Sequence, residues 1–159
     1  HAANAMTYDY ASVAKWSGNK IAVCGNLPYQ IASQILFRLL DMRDSIHQVV
    51  AMIQKEMADR IVAPPGIKAY GAISVLLGAY ADISTVVQAA PADFSPAPKV
   101  HSTVIKLKMR SEPVASIADP AAFSQVVHAA LAIGRNSLAN RCGFQFACVV
   151  VVATPRARA

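Results

Sequence analysis

The sequence predicts an α/β fold: the second half of a doubly wound sheet, ending in an antiparallel hairpin and leading into a small helical region. Three observations predict it. Runs of β-forming apolar residues alternate with stretches of helical period in the order β-α-β-α-α-β-β. In the last run Val100, Ser102, Val104, Lys106 and Lys108 alternate with His101, Thr103, Ile105 and Leu107, which is the period of a strand. The seven glycines, at 18, 25, 66, 71, 78, 134 and 143, never form Gly-x-Gly, so the phosphate or nucleoside loop usual after the first strand of such a sheet is not in this chain. The chain opens at His1 with no signal-peptide pattern, and an upstream portion is expected.

Residues 5 to 10 read as an exit from a strand into a loop, with Asn4 at that strand's end. Residues 21 to 24 are a short run of β-formers halting at Gly25, the pattern of a buried parallel strand ending in a turn. Ile31, Ile35, Leu36, Leu39 and Leu40 then recur at helical spacing, with Ser33 as N-cap and an end near Met42. Residues 47 to 54 read as the next strand. A short helix over 55 to 62 follows, with Met57, Ile61 and Val62 inward, and Pro64-Pro65-Gly66 stops it. Ile73, Leu76, Leu77 and Tyr80 keep a helical period, and a strand over 83 to 88 pairs with the one over 100 to 109 across a turn-rich segment. Asp119-Pro120 is an N-cap followed by the residue best tolerated at the first helical position. It starts a helix to about Ile133 that buries Phe123, Val127, Ala130 and Leu131. A boundary near residues 110 to 113 divides a domain over 1 to 110 from a helical one over 111 to 159, and residues 144 to 159 fit no pattern.

Composition narrows the function classes. The longest clean apolar run, residues 147 to 153, is too short for a membrane span. Three cysteines at 24, 142 and 148, without metal-ligand spacing, point to a reducing, cytoplasmic setting, and four scattered histidines suggest no metal site. The net charge of +6 is unevenly placed. Residues 1 to 98 balance seven Lys/Arg against seven Asp/Glu, whereas residues 99 to 159 hold eight against two. A basic region joined to a neutral one suits a polyanion partner.

The loop Asn26-Leu27-Pro28-Tyr29 stands at the carboxyl end of a strand, where open α/β sheets bind ligands. Its residues suit group transfer to the exocyclic amine of an adenine. That nitrogen is a poor nucleophile because its lone pair is delocalised into the ring. Acceptors that bind its N–H groups more strongly as positive charge develops would stabilise the transition state selectively. The Asn26 side-chain oxygen and the Leu27 carbonyl can be those acceptors. Pro28 fixes its own φ and holds Leu27 extended. Tyr29 offers a flat face to an unstacked base, and on this reading its ring matters more than its hydroxyl. The plain alternative is a strand-to-helix turn, since Gly, Asn and Pro are ordinary turn residues.

Several blocks in order resemble the ribosomal RNA adenine N6,N6-dimethyltransferases, the family of the bacterial small-subunit (16S) enzyme and of the erythromycin-resistance methylases. They are Gly25-Asn26-Leu27-Pro28-Tyr29, Gln54-Lys55-Glu56, Lys68-Ala69-Tyr70-Gly71 with Ser74-Val75, and Phe94-Ser95-Pro96-Ala97-Pro98-Lys99-Val100-His101-Ser102. The similarity covers about residues 1 to 131. It implies a Rossmann-like class I methyltransferase domain and dimethylation of adenine N6 in small-subunit ribosomal RNA, with S-adenosylmethionine as cofactor. It also implies that residues 26 to 29 hold the target adenine and that Phe94 is the aromatic on its other face. Asn4 occupies the place of an acidic residue beside the cofactor's adenine, and Asn26 also borders the cofactor. Lys99 is similar to a lysine beside the RNA, and Lys106, Lys108 and Arg135 are the further cations expected to meet it. Gln54, Lys55, Glu56 and Arg60 are read as structural, a helix start with a charged face. Near residue 135 the family's basic cluster is reduced to Arg135. A monomer is expected. A non-catalytic RNA-binding or ribosome-assembly module is the alternative of a different class, and a DNA adenine methylase is a weaker one.

Overall fold

A computed structural model describes residues 3 to 133. Its elements are α1 (Tyr10–Ser17), β1 (Ile21–Asn26), α2 (Ala32–Asp41), β2 (Ile46–Gln54), α3 (Lys55–Ile61), α4 (Ala72–Tyr80), β3 (Ala81–Ala89), a single 3-10 turn (Pro91–Asp93), β4 (Ser102–Met109) and α5 (Pro120–Ile133). The strands lie in the order β1-β2-β4-β3. β1 pairs parallel to β2, and β4 pairs antiparallel to both β2 and β3. The expected hairpin is present, and its second strand is inserted between β2 and β3. β1, β2 and β3 therefore point the same way, and their carboxyl ends meet the start of β4 at one end of the sheet.

The two crossovers, β1-α2-β2 and β2-α3-α4-β3, advance across the sheet in one direction. Right-handed connections then put their helices on one face. Register identifies that face: Val49 pairs with Leu107, Ala51 with Ile105 and Ile53 with Thr103, and all six are buried. All but Thr103 pack with Ile35, Leu36 and Leu39 of α2 and Leu77 of α4 in a single core. The reverse face carries Cys24, Val50, Lys106 and Ser84 in a row across the four strands, exposed or half-buried.

Four expectations change. β1 is an edge strand, with Ala22, Cys24, Gly25 and Asn26 exposed. Among the described residues it has one strand neighbour and one covered face, so its apolar composition does not make it buried. Ser33 does not cap α2; Ile31 holds the N-cap position without a side-chain bond, because the preceding turn already places Ala32 inside the helix. Ala130 is exposed on α5, where Val127 is buried and Phe123 and Leu131 are half-buried. No strand is assigned from residue 3 to residue 9, where Asn4 opens a turn.

Helix α1, which the sequence reading did not assign, is bracketed by its two caps. Asp9 accepts from the Ser12 N–H at the start, and Gly18, at φ 72°, closes the end with its N–H on the Lys15 carbonyl. The Ser12 hydroxyl and N–H hold the Asp9 carboxyl below its ordinary range. At the other terminus Asp119 accepts from the Ala121 and Ala122 N–H groups, as its N-cap position predicts. α5 packs on α4 through Phe123, edge-on to Tyr80 at 6.5 Å, and the segment before it is tied by Arg110 N–H to Tyr80 O and Val114 N–H to Ala79 O. Arg110 also forms an ion pair with Asp82.

Candidate active site at the carboxyl end of the sheet

The candidate loop leaves β1 while still attached to β2. Asn26 pairs with Met52, and the Leu27 N–H donates to the Met52 carbonyl at 3.0 Å. The Leu27 side chain packs against the core. The Ile31 N–H then donates to the Pro28 carbonyl at 3.1 Å, closing the turn into α2. These anchors fix the backbone on both sides of two groups with no hydrogen-bond partner among the described residues: the exposed Asn26 amide and the Leu27 carbonyl. Two adjacent acceptors held on an anchored backbone can receive both N–H groups of an exocyclic amine.

Tyr29 is half-buried, and its hydroxyl lies 3.0 Å from the Ser102 hydroxyl on β4. The sequence reading gave that hydroxyl no task. Ser102 is 0% exposed and stands level with Gln54 of β2 and Ala89 of β3. Sequence reasoning gave Ser102 no role either. The available signal was a small hydroxyl residue at the first position of a central strand, immediately after the Pro-rich turn.

The same end gathers other expected residues. The Lys55 N–H donates to the His101 carbonyl at 2.9 Å, which seats the segment carrying exposed Lys99 on the rim beside β2. Phe94 follows the 3-10 turn after β3, half-buried and outside the core cluster. That position leaves its ring unclaimed by core packing. Gln54 is the N-cap residue of α3, and Lys55–Asp59 and Arg60–Glu56 form ion pairs one turn apart at 2.6 and 2.5 Å, in keeping with a charged helix face. Asn4 lies in the turn before α1, where its Oδ1 accepts from the Met6 N–H at 2.9 Å.

Lys106 and Lys108 are placed differently. They are exposed on the uncovered sheet face, level with Val50 and Gln48, and so about 13 and 20 Å along β4 from Ser102 at the usual strand rise. They share a face with Asn26 but not the rim. Arg135 lies outside the described residues. Among the described residues no three His, Cys, Asp or Glu side chains group as metal ligands, and no helix is long and apolar enough to cross a membrane.

The family model described as "Ribosomal RNA adenine dimethylase" matches residues 2–146. The chain belongs to this family. Among its relatives, the "Ribosomal RNA small subunit methyltransferase A" of Syntrophus aciditrophicus is 45% identical over 136 residues, covering 85% of this chain and 49% of the relative. The protein of the same name from Myxococcus xanthus is 43% identical over 137 residues, covering 86% and 48%. The crystal structure of a dimethyladenosine transferase from Plasmodium falciparum superposes with a TM-score of 0.54 at 30% identity, covering 56% of this chain and 32% of that one. The chain thus spans about half the length of the curated relatives it matches. The ribosomal RNA adenine dimethylases are methyltransferases, and the α/β sheet described above is their Rossmann-like architecture.

Proposed function

We propose that the chain carries the target-base side of an enzyme that dimethylates adenine N6 in small-subunit ribosomal RNA. The observation that carries this reading is the pair of acceptors without a hydrogen-bond partner among the described residues, Asn26 and the Leu27 carbonyl, on a loop anchored to β2 and α2. These acceptors hold the amine so that its lone pair is directed away from the ring plane, and they bind more strongly as the nitrogen becomes positive. Pro28 keeps Leu27 extended. Tyr29 and Phe94 stack on the two faces of the unstacked base, and Lys99 meets a neighbouring phosphate. Lys106, Lys108 and Arg135 extend the cationic surface toward the same RNA. In this reading the protein acts as a monomer in the cytoplasm, and α5 begins a second, RNA-binding domain over residues 111 to 159, of which residues 134 to 159 lie outside those described.

The methyl donor on this reading is S-adenosylmethionine, whose sulfonium supplies an activated methyl group when bound. The residues present fit it in part. Asn4 Oδ1 already accepts from Met6 N–H and keeps a second lone pair and its NH2 group for an adenine edge, and Asn26 is exposed beside the reacting end. Two amide side chains are far short of a nucleoside pocket. Titration calorimetry of the 159-residue chain with S-adenosylmethionine should accordingly show no low-micromolar binding. A dissociation constant in that range would mean that these few residues suffice.

The activity is tested in a chimera in which residues 3–133 replace the aligned segment of the Syntrophus aciditrophicus relative. Unmethylated small-subunit RNA incubated with this protein and the methyl donor should yield N6,N6-dimethyladenosine on nuclease digestion and mass spectrometry. RNA binding with no methylated product would favour a non-catalytic RNA-binding module. Association with a structured RNA should weaken with salt, with a log–log slope of about −0.9 per phosphate contact taken from duplex DNA. Lys99→Ala should reduce that slope by about one unit, and Lys106→Ala with Lys108→Ala by up to two more. A slope unchanged by all three would remove these lysines from the interface.

A further inference from the structure

We infer that Ser102 is a positioning residue for Tyr29, holding the aromatic face of the candidate loop at a fixed angle by a hydrogen bond across the sheet; this rests on the reading of Tyr29 as a stacking platform.

The partners are 73 residues apart in sequence and their oxygens are 3.0 Å apart. Tyr29 belongs to a loop that leaves the edge strand β1. Ser102 opens β4, on the far side of β2. Backbone pairing ends at the Leu27 N–H to Met52 carbonyl bond, and past it the loop's hydrogen bonds among the described residues are the Pro28 turn and this side-chain contact. A tyrosine ring has two free torsions. The Leu27 anchor fixes where the ring starts, and the hydroxyl bond fixes where it ends. Either oxygen can donate, so the bond survives whichever proton arrangement the bound base prefers.

Ser102 has little reason to be polar otherwise. It is 0% exposed and faces the same side of the sheet as Gln54 and Ala89. A buried hydroxyl without a partner is unfavourable, so removing the Tyr29 oxygen strands the buried Ser102 hydroxyl. The Lys55 N–H bond to the His101 carbonyl pins the backbone one residue earlier, so Ser102 is a rigid post. The hydroxyl of Tyr29, which the loop sequence leaves without a task, is on this account what makes the ring a preorganised surface and not a swinging one.

The test uses the full chain and a single-stranded RNA oligonucleotide with 2-aminopurine in place of one adenine, whose fluorescence is quenched on stacking. Tyrosine resonance Raman spectra of the protein report the hydroxyl bond independently. Ser102→Ala and Tyr29→Phe should each weaken capture by about tenfold, the equivalent of one hydrogen bond. The double variant should be no worse than either single one, and Ser102→Thr should keep both the capture and the Raman signature. If Tyr29→Ala abolishes quenching while Ser102→Ala alters the Raman signature without changing capture, Ser102 is only structural and the inference is overturned. If Tyr29→Ala leaves quenching intact, the stacking reading itself fails and the inference fails with it. Thermal melts of Ser102→Thr and Ser102→Ala against the parent chain separate a lost contact from a lost fold.

Discussion

Asn26→Ala, in the chimera with the Syntrophus aciditrophicus relative, should lower the turnover number roughly a hundredfold while RNA affinity stays within a few-fold. The magnitude follows from the loss of one preorganised group aimed at developing charge, about 3 kcal/mol by analogy with oxyanion-hole donors. The asymmetry follows from when the interaction strengthens. In the ground state the amine is neutral and Asn26 makes an ordinary hydrogen bond to it. As the nitrogen becomes cationic the same bond becomes charge-assisted and roughly doubles in strength. The substitution should be benign for the fold, because Asn26 is exposed at a strand end and its side chain is bonded to no described residue. Single-turnover kinetics with saturating RNA, alongside a filter-binding isotherm, separate the two terms. Near-normal turnover in a protein with an unchanged melting temperature would reduce the loop to a connector.

Tyr29→Ala and Phe94→Ala should fail in a different way. Each removes a stacking face worth roughly 1 to 3 kcal/mol, so each should weaken capture of the unstacked base by about fivefold to more than a hundredfold. The deficit should appear in KM and in 2-aminopurine quenching before it appears in the turnover number at saturation. Tyr29→Ala should be the more severe, because it also leaves the fully buried Ser102 hydroxyl without its partner. Phe94 stands outside the core cluster, so Phe94→Ala should leave the melting temperature nearly unchanged. A large fall in stability for Phe94→Ala with intact base capture would assign that ring to packing under the Pro-rich turn.

The sequence read most clearly where one interaction decides the outcome locally. Asp119 before Pro120 marked the start of α5 because a carboxylate can accept from the first free N–H groups of a helix. Pro64-Pro65-Gly66 ended α3 because proline cannot continue a helix and glycine turns cheaply. The alternation over residues 100 to 109 marked β4 and its solvent-facing lysines, since side chains of a strand point to opposite faces in turn. Besides the exposed Ala130 of α5, two failures at helix level were also local. Ser33 was a good N-cap by type, but the turn closed by the Pro28 carbonyl started α2 before it. α1 went unassigned although Asp9 and Gly18 bracket it, because it buries only Tyr10 and Ala14 and so shows little apolar period.

By itself the sequence determined the α/β order of elements from β1 onward, the parallel relation of β1 to β2, the loop that bears the acceptors, the family blocks and the basic last third. Each is a property of residue type, spacing or local hydrogen bonding. The tertiary structure alone decided what depends on which strands become neighbours. Inserting β4 between β2 and β3 brought Ser102 within bonding distance of Tyr29, put the Lys99 segment at the rim, and carried Lys106 and Lys108 away from it along the open face. Among the described residues β1 pairs with one strand, β2, and keeps an exposed surface that its composition does not betray. Strand order is set by the cooperative burial of one whole face, Val49, Ala51, Ile53, Ile105 and Leu107 against α2 and α4, and no short window of sequence contains that information.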